Sequence, residues 1–315
     1  MRVSVVLVNL NGEPFIYEAL ESLERQTFKD FEVIVVDNGS IDGSPEKIRS
    51  RFPHVKIVEL GENKGFAYGC VRGWKESKGE DLALLNNDAF PERDWLKEMI
   101  AGLDSDPELG MIDSRVINIK TGQLESCGMY AVRNGFVHQL RSGPEDTPYE
   151  VFCACGGAVL YRCRMLNEIG FFAEDFFTYY EDGDLAYRAR RAGWKALCCP
   201  KARVSHLGSE TAKALGIKNY YTSRNRLRTI VRNWDSRLIL KNLPWILFYD
   251  FLAFWNGLFF RDRGSLKARI DFLRFLSVDL KARKDIFAKT IPGFDLEKLL
   301  SKKGPGMVEL WRRRK

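Results

Sequence analysis

The chain has 315 residues, 45% hydrophobic and 29% charged, which excludes a disordered chain and leaves ample apolar surface for a full core. Its 7 cysteines include no CxxC pair, so a zinc ribbon and a disulfide framework are excluded and a reducing cytosol is expected. The net charge of +7 sits at one end: residues 261–315 carry 16 Lys/Arg against 7 Asp/Glu, and the other 260 carry 33 against 35, so no nucleic-acid partner is expected.

In chain order, residues 2–10 read as a strand whose apolar run, 3–10, is too short for a signal peptide. The spacing of Phe15, Ile16, Ala19, Leu20 and Leu23 predicts a helix over 13–26. Residues 31–37 read as a parallel strand covered on both faces. A helix over 41–52, capped by Ser40 or Asp42, ends before Pro53. Strand 55–60, helix 65–77, strand 81–87 and helix 91–103 follow. This alternation predicts a doubly wound α/β sheet. Residues 110–160 hold short β pieces between glycine turns; 164–170 and 182–192 read as helices, 194–200 and 203–206 as strands. From residue 217 onward the pattern is helical, and a boundary near 236 divides a catalytic unit, 1–236, from a basic helical region, 237–315.

Residues 243–260 (LPWILFYDFLAFWNGLFF) hold one charge, Asp250, but also Pro244, Asn256 and Gly257. In-plane membrane contact, a helix buried against the body and a membrane span all remain open for this segment. The chain ends in the basic stretch 311–315 (WRRRK), suited to an anionic surface such as a membrane.

In an open α/β sheet, ligands bind beyond the carboxyl ends of the strands. Those ends carry Asn9, Asn11 and Glu13; Asp37; Asn63 and Gly65; and Asn86-Asn87-Asp88. Singly such residues are turn formers and caps, but four in succession on one edge point to a polar nucleotide site. GxGxxG, the P-loop and GxSxG are all missing.

The stretches VSVVLVNLNGE, LESLERQTFKDFEVIVVDNGSIDGS, ENKGFAYGCVRGW, LALLNNDAFPERDWL, CGGAVLYRCRMLNEIGFFAEDFFTYYEDGDLAYRARRAGW and VSHLGS resemble, in order, the family 2 glycosyltransferases over about 3–206. The segment YYTSRNRLRTIVRN is similar to that of the bacterial rhamnosyltransferase-like members. The resemblance implies a GT-A fold, a doubly wound mixed sheet of Rossmann-like type followed by a C-terminal helical region. It implies inverting transfer from a pyrimidine nucleotide-diphospho-sugar, dTDP-rhamnose or a UDP-hexose. The acceptor would be a saccharide or a lipid-linked saccharide, in cell-surface polysaccharide assembly at the cytoplasmic face of the membrane.

Residue by residue, the resemblance implies that Asp37 reads the base through the N3–H of uracil or thymine. Val8, Asn9, Asn11 and Glu13 would flank the nucleoside; Asn63 and Gly65 would lie over base and ribose, and Asn87 beside them. Asn86-Asn87-Asp88 stands where the family carries Asp-x-Asp, leaving Asp88, with His206, to hold Mg²⁺ or Mn²⁺ against the diphosphate. Asp182 would be the general base and Glu181 would bind acceptor hydroxyls. Gly156 and Gly157, with Asp184 and Arg224, would serve the donor sugar, diphosphate and acceptor. A non-catalytic sugar-nucleotide or lipid-binding module and a nucleotidyltransferase are the alternatives. The latter expects a basic loop after the first strand, which LVNLNGEP lacks. The region 237–315 would otherwise pair subunits in a homo-oligomer.

Overall fold

Valine, isoleucine and leucine fill the first strands, the composition of a sheet covered on both faces. In the computed structural model, which describes residues 1–208, 217–259 and 263–301, these runs become β1 (Val3–Asn9), β2 (Phe31–Asp37), β3 (Lys56–Glu59) and β4 (Asp81–Leu85), all parallel. Side chains alternate across β1: Val5 and Leu7 face α1 (Phe15–Glu24) and α2 (Ser44–Arg51), while Val6 faces α3 (Phe66–Lys75). Burying each such side chain contributes roughly 1.5–3 kcal/mol. The α3 helix lies close to the sheet because of its glycines. A Cβ at Gly73 would fall 2.3 Å from Val6 Cγ1, and one at Gly69 would fall 2.8 Å from Val8 Cγ1.

Beyond β4 come β5 (Ala89–Pro91), α4 (Trp95–Asp104), β6 (Leu109–Asn118), β7 (Leu124–Ser126), β8 (Met129–Ala131), β9 (Val137–Gln139), β10 (Tyr149–Val151), β11 (Ala158–Arg162), α5 (Cys163–Ile169), α6 (Glu181–Arg191) and β12 (Lys195–His206). The ten-stranded sheet runs β10-β12-β6-β11-β4-β1-β2-β3, with β5 on β12 and β7 on β6; β8 and β9 form a separate hairpin. It is mixed, because β11 lies antiparallel between β4 and β6.

Three local expectations change. Helix α4 starts at Trp95, not near 91, because Ala89–Pro91 pairs with β12 as a strand. The strands expected at 194–200 and 203–206 are one, β12, with a register irregularity between Cys199 and Arg203. Helix α2 begins after Gly43, at φ 78, and Asp42 reaches over it to accept the N–H of Ser44 at 3.0 Å.

The helical remainder comprises α7 (Lys218–Asn233), α8 (Ser236–Phe259), α9 (Arg263–Arg274) and α10 (Leu276–Ala288). It packs back on the sheet-bearing part: Asp279 of α10, fully buried, takes both Arg228 and Arg232 of α7. The N–H of Ile291 donates to the carbonyl of Arg191 at 2.9 Å, and that of Ser301 to Ala131 at 2.8 Å. The basic stretch 302–315 lies outside the described residues.

Candidate active site

The carboxyl ends of β1 and β4 open onto a cleft of about 470 Å³. Beneath it Asn9, fully buried, is a hub. Its Nδ2 donates to Ser44 Oγ at 2.9 Å, Ser40 Oγ at 3.2 Å and Asp37 Oδ1 at 3.4 Å, and its Oδ1 accepts from Asn87 Nδ2 at 3.0 Å. The register of β1 on β2, which pairs Asn9 with Asp37, sets this up.

The β5–β12 pairing brings Ala89 opposite His206 and so sets Asp88 against the imidazole. His206 Nε2 lies 3.0 Å from Asp88 Oδ1, and its Nδ1 lies 3.1 Å from Glu125 Oε2 on β7. Burial disfavours the charged ring, but hydrogen bonds to the two carboxylates outweigh it and push the group up to about 9. Asp88, His206 and Glu125 all line the cleft. A carboxylate on Nδ1 also fixes the ring so that Nε2 faces the Asp88 side. Among the described residues no group of three or more His, Cys, Asp or Glu forms a ready-made metal cage. A cation here would need further oxygens from a ligand.

The acids lie at the N-terminus of α6. Asp182 Oδ1 accepts from Gly183 N at 2.7 Å and Oδ2 from Gly156 N at 3.2 Å. Glu181 is buried and its Oε2 has no hydrogen-bond partner among the protein atoms. Burial raises both carboxyls, and the charge of Asp182 raises Glu181 further, so one proton is readily held by the pair. The Gly156-Gly157 turn links this side to the strand end, since Gly157 O accepts from Asn86 N at 2.8 Å.

The cleft thus gathers Val8, Asn63, Gly65, Asn87, Asp88, Gly156, Gly157, Glu181, Asp182 and His206 from the expected set. Six expected residues do not line it. Asn9 is the hub just described. Asn11 accepts from Ile41 N at 2.8 Å, and Glu13 is paired with Lys47, so both tie the first loop to the second. Asp37, 4% exposed, accepts from Asn9 and from the N–H groups of Gly39 and Ser40, at 3.2 and 3.0 Å. It shapes the turn, and its neighbour Asn38 lines the cleft instead. Asp184 is fully buried between Arg188 and Arg232, at 2.9 and 2.8 Å. Arg224 donates to the carbonyls of Asp175 and Phe176, at 3.0 and 2.9 Å, and not into the cleft.

The cleft also holds residues that sequence reasoning missed: Asn38, Glu125, Phe136, His138 and Tyr249. Asn38 Nδ2 donates to Asn63 Oδ1 at 3.1 Å, and its Oδ1 accepts from Lys64 N at 2.9 Å, joining two strand-end loops. Phe136 stacks on His138 with centroids 5.5 Å apart and meets Tyr249 of α8 at 4.5 Å. Asn38 stands in the quoted DNGS and was legible as a neighbour of Asp37. Glu125 sits in a three-residue strand with no pattern to mark it.

A mixed α/β sheet with polar strand ends, an Asp–His pair and helix-initiating acids across one cleft is the arrangement that the resemblance to GT-A glycosyltransferases leads one to expect. The model of Glycosyl transferase family 2 matches residues 4–170, more than half of the chain, and the chain belongs to that family. It is 27% identical over 234 residues to the N-acetylglucosaminyl-diphospho-decaprenol L-rhamnosyltransferase of Mycobacterium tuberculosis, covering 64% of this chain and 75% of that one. To the O-antigen biosynthesis protein RfbC of Myxococcus xanthus it is 25% identical over 231 residues, 68% of this chain but 18% of that longer protein. Among solved structures, GalNAc-T7 with UDP, GalNAc and Mn²⁺ has a TM-score of 0.62 at 18% identity, over 75% of this chain and 48% of that one. Staphylococcus aureus TarS 1-349 in complex with UDP-GlcNAc has a TM-score of 0.58 at 18% identity, over 94% of each chain.

Proposed function

We propose that this chain transfers a sugar, with inversion, from a pyrimidine nucleotide-diphospho-sugar, dTDP-rhamnose or a UDP-hexose, to a saccharide or lipid-linked acceptor in cell-surface polysaccharide assembly. The observation that carries this reading is the Gly156-Gly157 turn, bonded to Asn86 on one side and to Asp182 on the other. It spans the strand end suited to a diphosphate and the helix start suited to a base.

In the proposed step, Asp182 takes the proton of an acceptor hydroxyl as that oxygen forms a bond to the anomeric carbon. The bond from that carbon to the diphosphate oxygen breaks on the opposite face, releasing the nucleoside diphosphate. The raised carboxyl of Asp182 makes it a better base than an exposed aspartate, and Glu181 beside it binds acceptor hydroxyls. Asp88 and His206 fit a divalent cation, Mg²⁺ or Mn²⁺, which would offset the charge developing on the leaving diphosphate. The Mn²⁺ in the GalNAc-T7 structure supports a cation of this kind. The donor nucleotide lies by Val8, Asn38, Asn63 and Gly65. The UDP and UDP-GlcNAc held by GalNAc-T7 and TarS support a pyrimidine. The apolar outer face of α8, whose Tyr249 reaches the cleft, supports a lipid-linked acceptor met at the cytoplasmic face of the membrane.

The test pairs binding with turnover. UDP or dTDP with Mn²⁺, at about 100 times Kd, is expected to stabilise the protein by roughly 2.7 kcal/mol. That raises the thermal midpoint by several degrees. Asp182→Asn is expected to keep that shift and lose turnover about 100-fold or more. Stabilisation by GDP alone overturns the pyrimidine, and full turnover by Asp182→Asn overturns the base. Stabilisation without turnover by the unaltered chain points to the binding module.

A further inference from the structure

Residues 177–180 form the wall of the cleft that leads into the two acids. After a single 3-10 turn, Glu174–Phe176, three residues that carry Cβ atoms lie in the left-handed region: Phe177 at φ 67, Tyr179 at φ 64 and Tyr180 at φ 74. Such a path is unfavourable for non-glycine residues and persists only where its surroundings impose it. Tyr180 is also the residue from which α6 starts, so the path fixes where Glu181 and Asp182 emerge.

What imposes the path is α7. The side chain of Asn225, fully buried, donates through Nδ2 to three carbonyls of this wall: Phe176 O at 2.9 Å, Thr178 O at 3.0 Å and Tyr179 O at 2.7 Å. Two amide protons are shared among three carbonyls. The orientation of the amide is fixed chemically, since Arg224 Nε donates to its Oδ1 at 2.9 Å while only acceptors face Nδ2. Arg224 Nη2 bonds the carbonyls of Asp175 and Phe176, and Arg228 Nη1 that of Asp175 at 3.2 Å. Arg228 is in turn held by Asp279 of α10, at 2.8 Å. Phe177 stacks on Tyr221 of α7 with centroids 5.0 Å apart, and its carbonyl accepts from Ala67 N at 3.0 Å, next to the donor-side loop.

We propose that Asn225, backed by Arg224 and Arg228, is a positioning residue of the transfer reaction. Its amide holds residues 176–180 in the left-handed path that aims Glu181 and Asp182 into the cleft. This rests on the acids acting as proposed above. None of the three side chains lines the cleft: Arg224 serves backbone carbonyls, and Arg228 pairs with Asp175 and the buried Asp279. The donor-side residues Val8, Asn63 and Asp88 stand on other elements, and Phe177 links the wall to that side through the N–H of Ala67.

The test uses the full chain with Asn225→Ala, and Asn225→Ser as a second variant that keeps one short donor. Hydrogen exchange followed by mass spectrometry is expected to show amides of 176–184 exchanging at least about tenfold faster in Asn225→Ala, with β1–β4 unchanged. In turnover, kcat is expected to fall about 100-fold, the scale of an ångström misplacement of reacting groups. The donor KM is expected to stay within about threefold, and the acid limb of the pH–kcat profile to move to lower pH as water reaches the acids. Asn225→Ser is expected to lie between. A variant that loses thermal stability alone, with unchanged exchange over 176–184 and unchanged kcat and pH profile, overturns the proposal. Absence of turnover in the unaltered chain is a failure of the functional reading, and the exchange measurement still decides the clamp. If Asn225→Ala does not fold, Asn225→Ser carries the same comparison.

Discussion

Glu181 carries a carboxyl oxygen that burial strips of water and that no protein donor replaces. Its carboxyl is therefore pushed up, by burial first and by Asp182 second, to about 8. A raised acid contributes full stability below its ordinary range and loses it as pH rises through the raised value. The unaltered chain is thus expected to lose stability against Glu181→Gln from about pH 4.5, its ordinary value, up to about pH 8. Thermal midpoints of the two proteins across that window check this, and a constant gap means that Glu181 does not ionise there. At this scale the acids, Asp88 and His206 were singled out through the resemblance of the short motifs that hold them, and the fold brings all of them to one cleft. Asp37 and Arg224 were legible as residues, and neither lines the cleft. A carboxylate at a turn serves backbone N–H groups as readily as a base, and a guanidinium serves carbonyls as readily as a phosphate.

Helices α6, α7 and α10 are joined by a buried ionic chain that runs Arg188–Asp184–Arg232–Asp279–Arg228 and ends at the surface on Asp175. Burial opposes the charge on Asp184, but Arg232 and Arg188 hold its carboxyl well below the usual range. Asp184→Asn strands two buried guanidinium groups and is expected to cost about 3–5 kcal/mol in urea unfolding at pH 7. A depressed acid stabilises above its ordinary pKa and ceases to as pH falls, so this gap is expected to shrink as pH is taken below about 4. An unchanged gap in acid assigns the loss to packing. The helices themselves were read from periodicity, and β1 to β4 from their apolar runs. The strand pairing that joins Asp88 to His206 was not, because β5 has three residues and ends in Pro91, which locally reads as a helix start.

Across the whole molecule, the sheet is covered on both faces while α8 is not covered on its outer side. Leu240, Trp245, Phe248, Phe251 and Trp255 are exposed along it, with Ile270 and Leu273 on α9. Positions 245, 248, 251 and 255 share one helical face. The segment is long and apolar enough to cross a membrane, yet Asp250 pairs inward with Arg226 and Arg269 and Tyr249 faces the cleft. This favours a helix lying along a bilayer over one passing through it. The combined substitution Trp245→Ser, Phe248→Ser and Phe251→Ser is expected to abolish co-sedimentation with anionic vesicles and to leave the thermal midpoint nearly unchanged. A shift from dimer to monomer, with vesicle binding retained, assigns this face to a second copy. The sequence marked the segment as apolar but left its partner open, since periodicity says which face is apolar and not what covers it.

The bond from Ser301 to Ala131 joins the end of the helical region to the β8 strand, alongside the bridge between Val132 and Ser301. The same hairpin turns at 132–136 and brings Phe136 and His138 to the acceptor side of the cleft. The chain that follows residue 301 is the basic stretch. Ser301 therefore fastens the C-terminal helices to the cleft wall: a ligand that moves the hairpin also moves Ser301, and a displacement of Ser301 loads the hairpin.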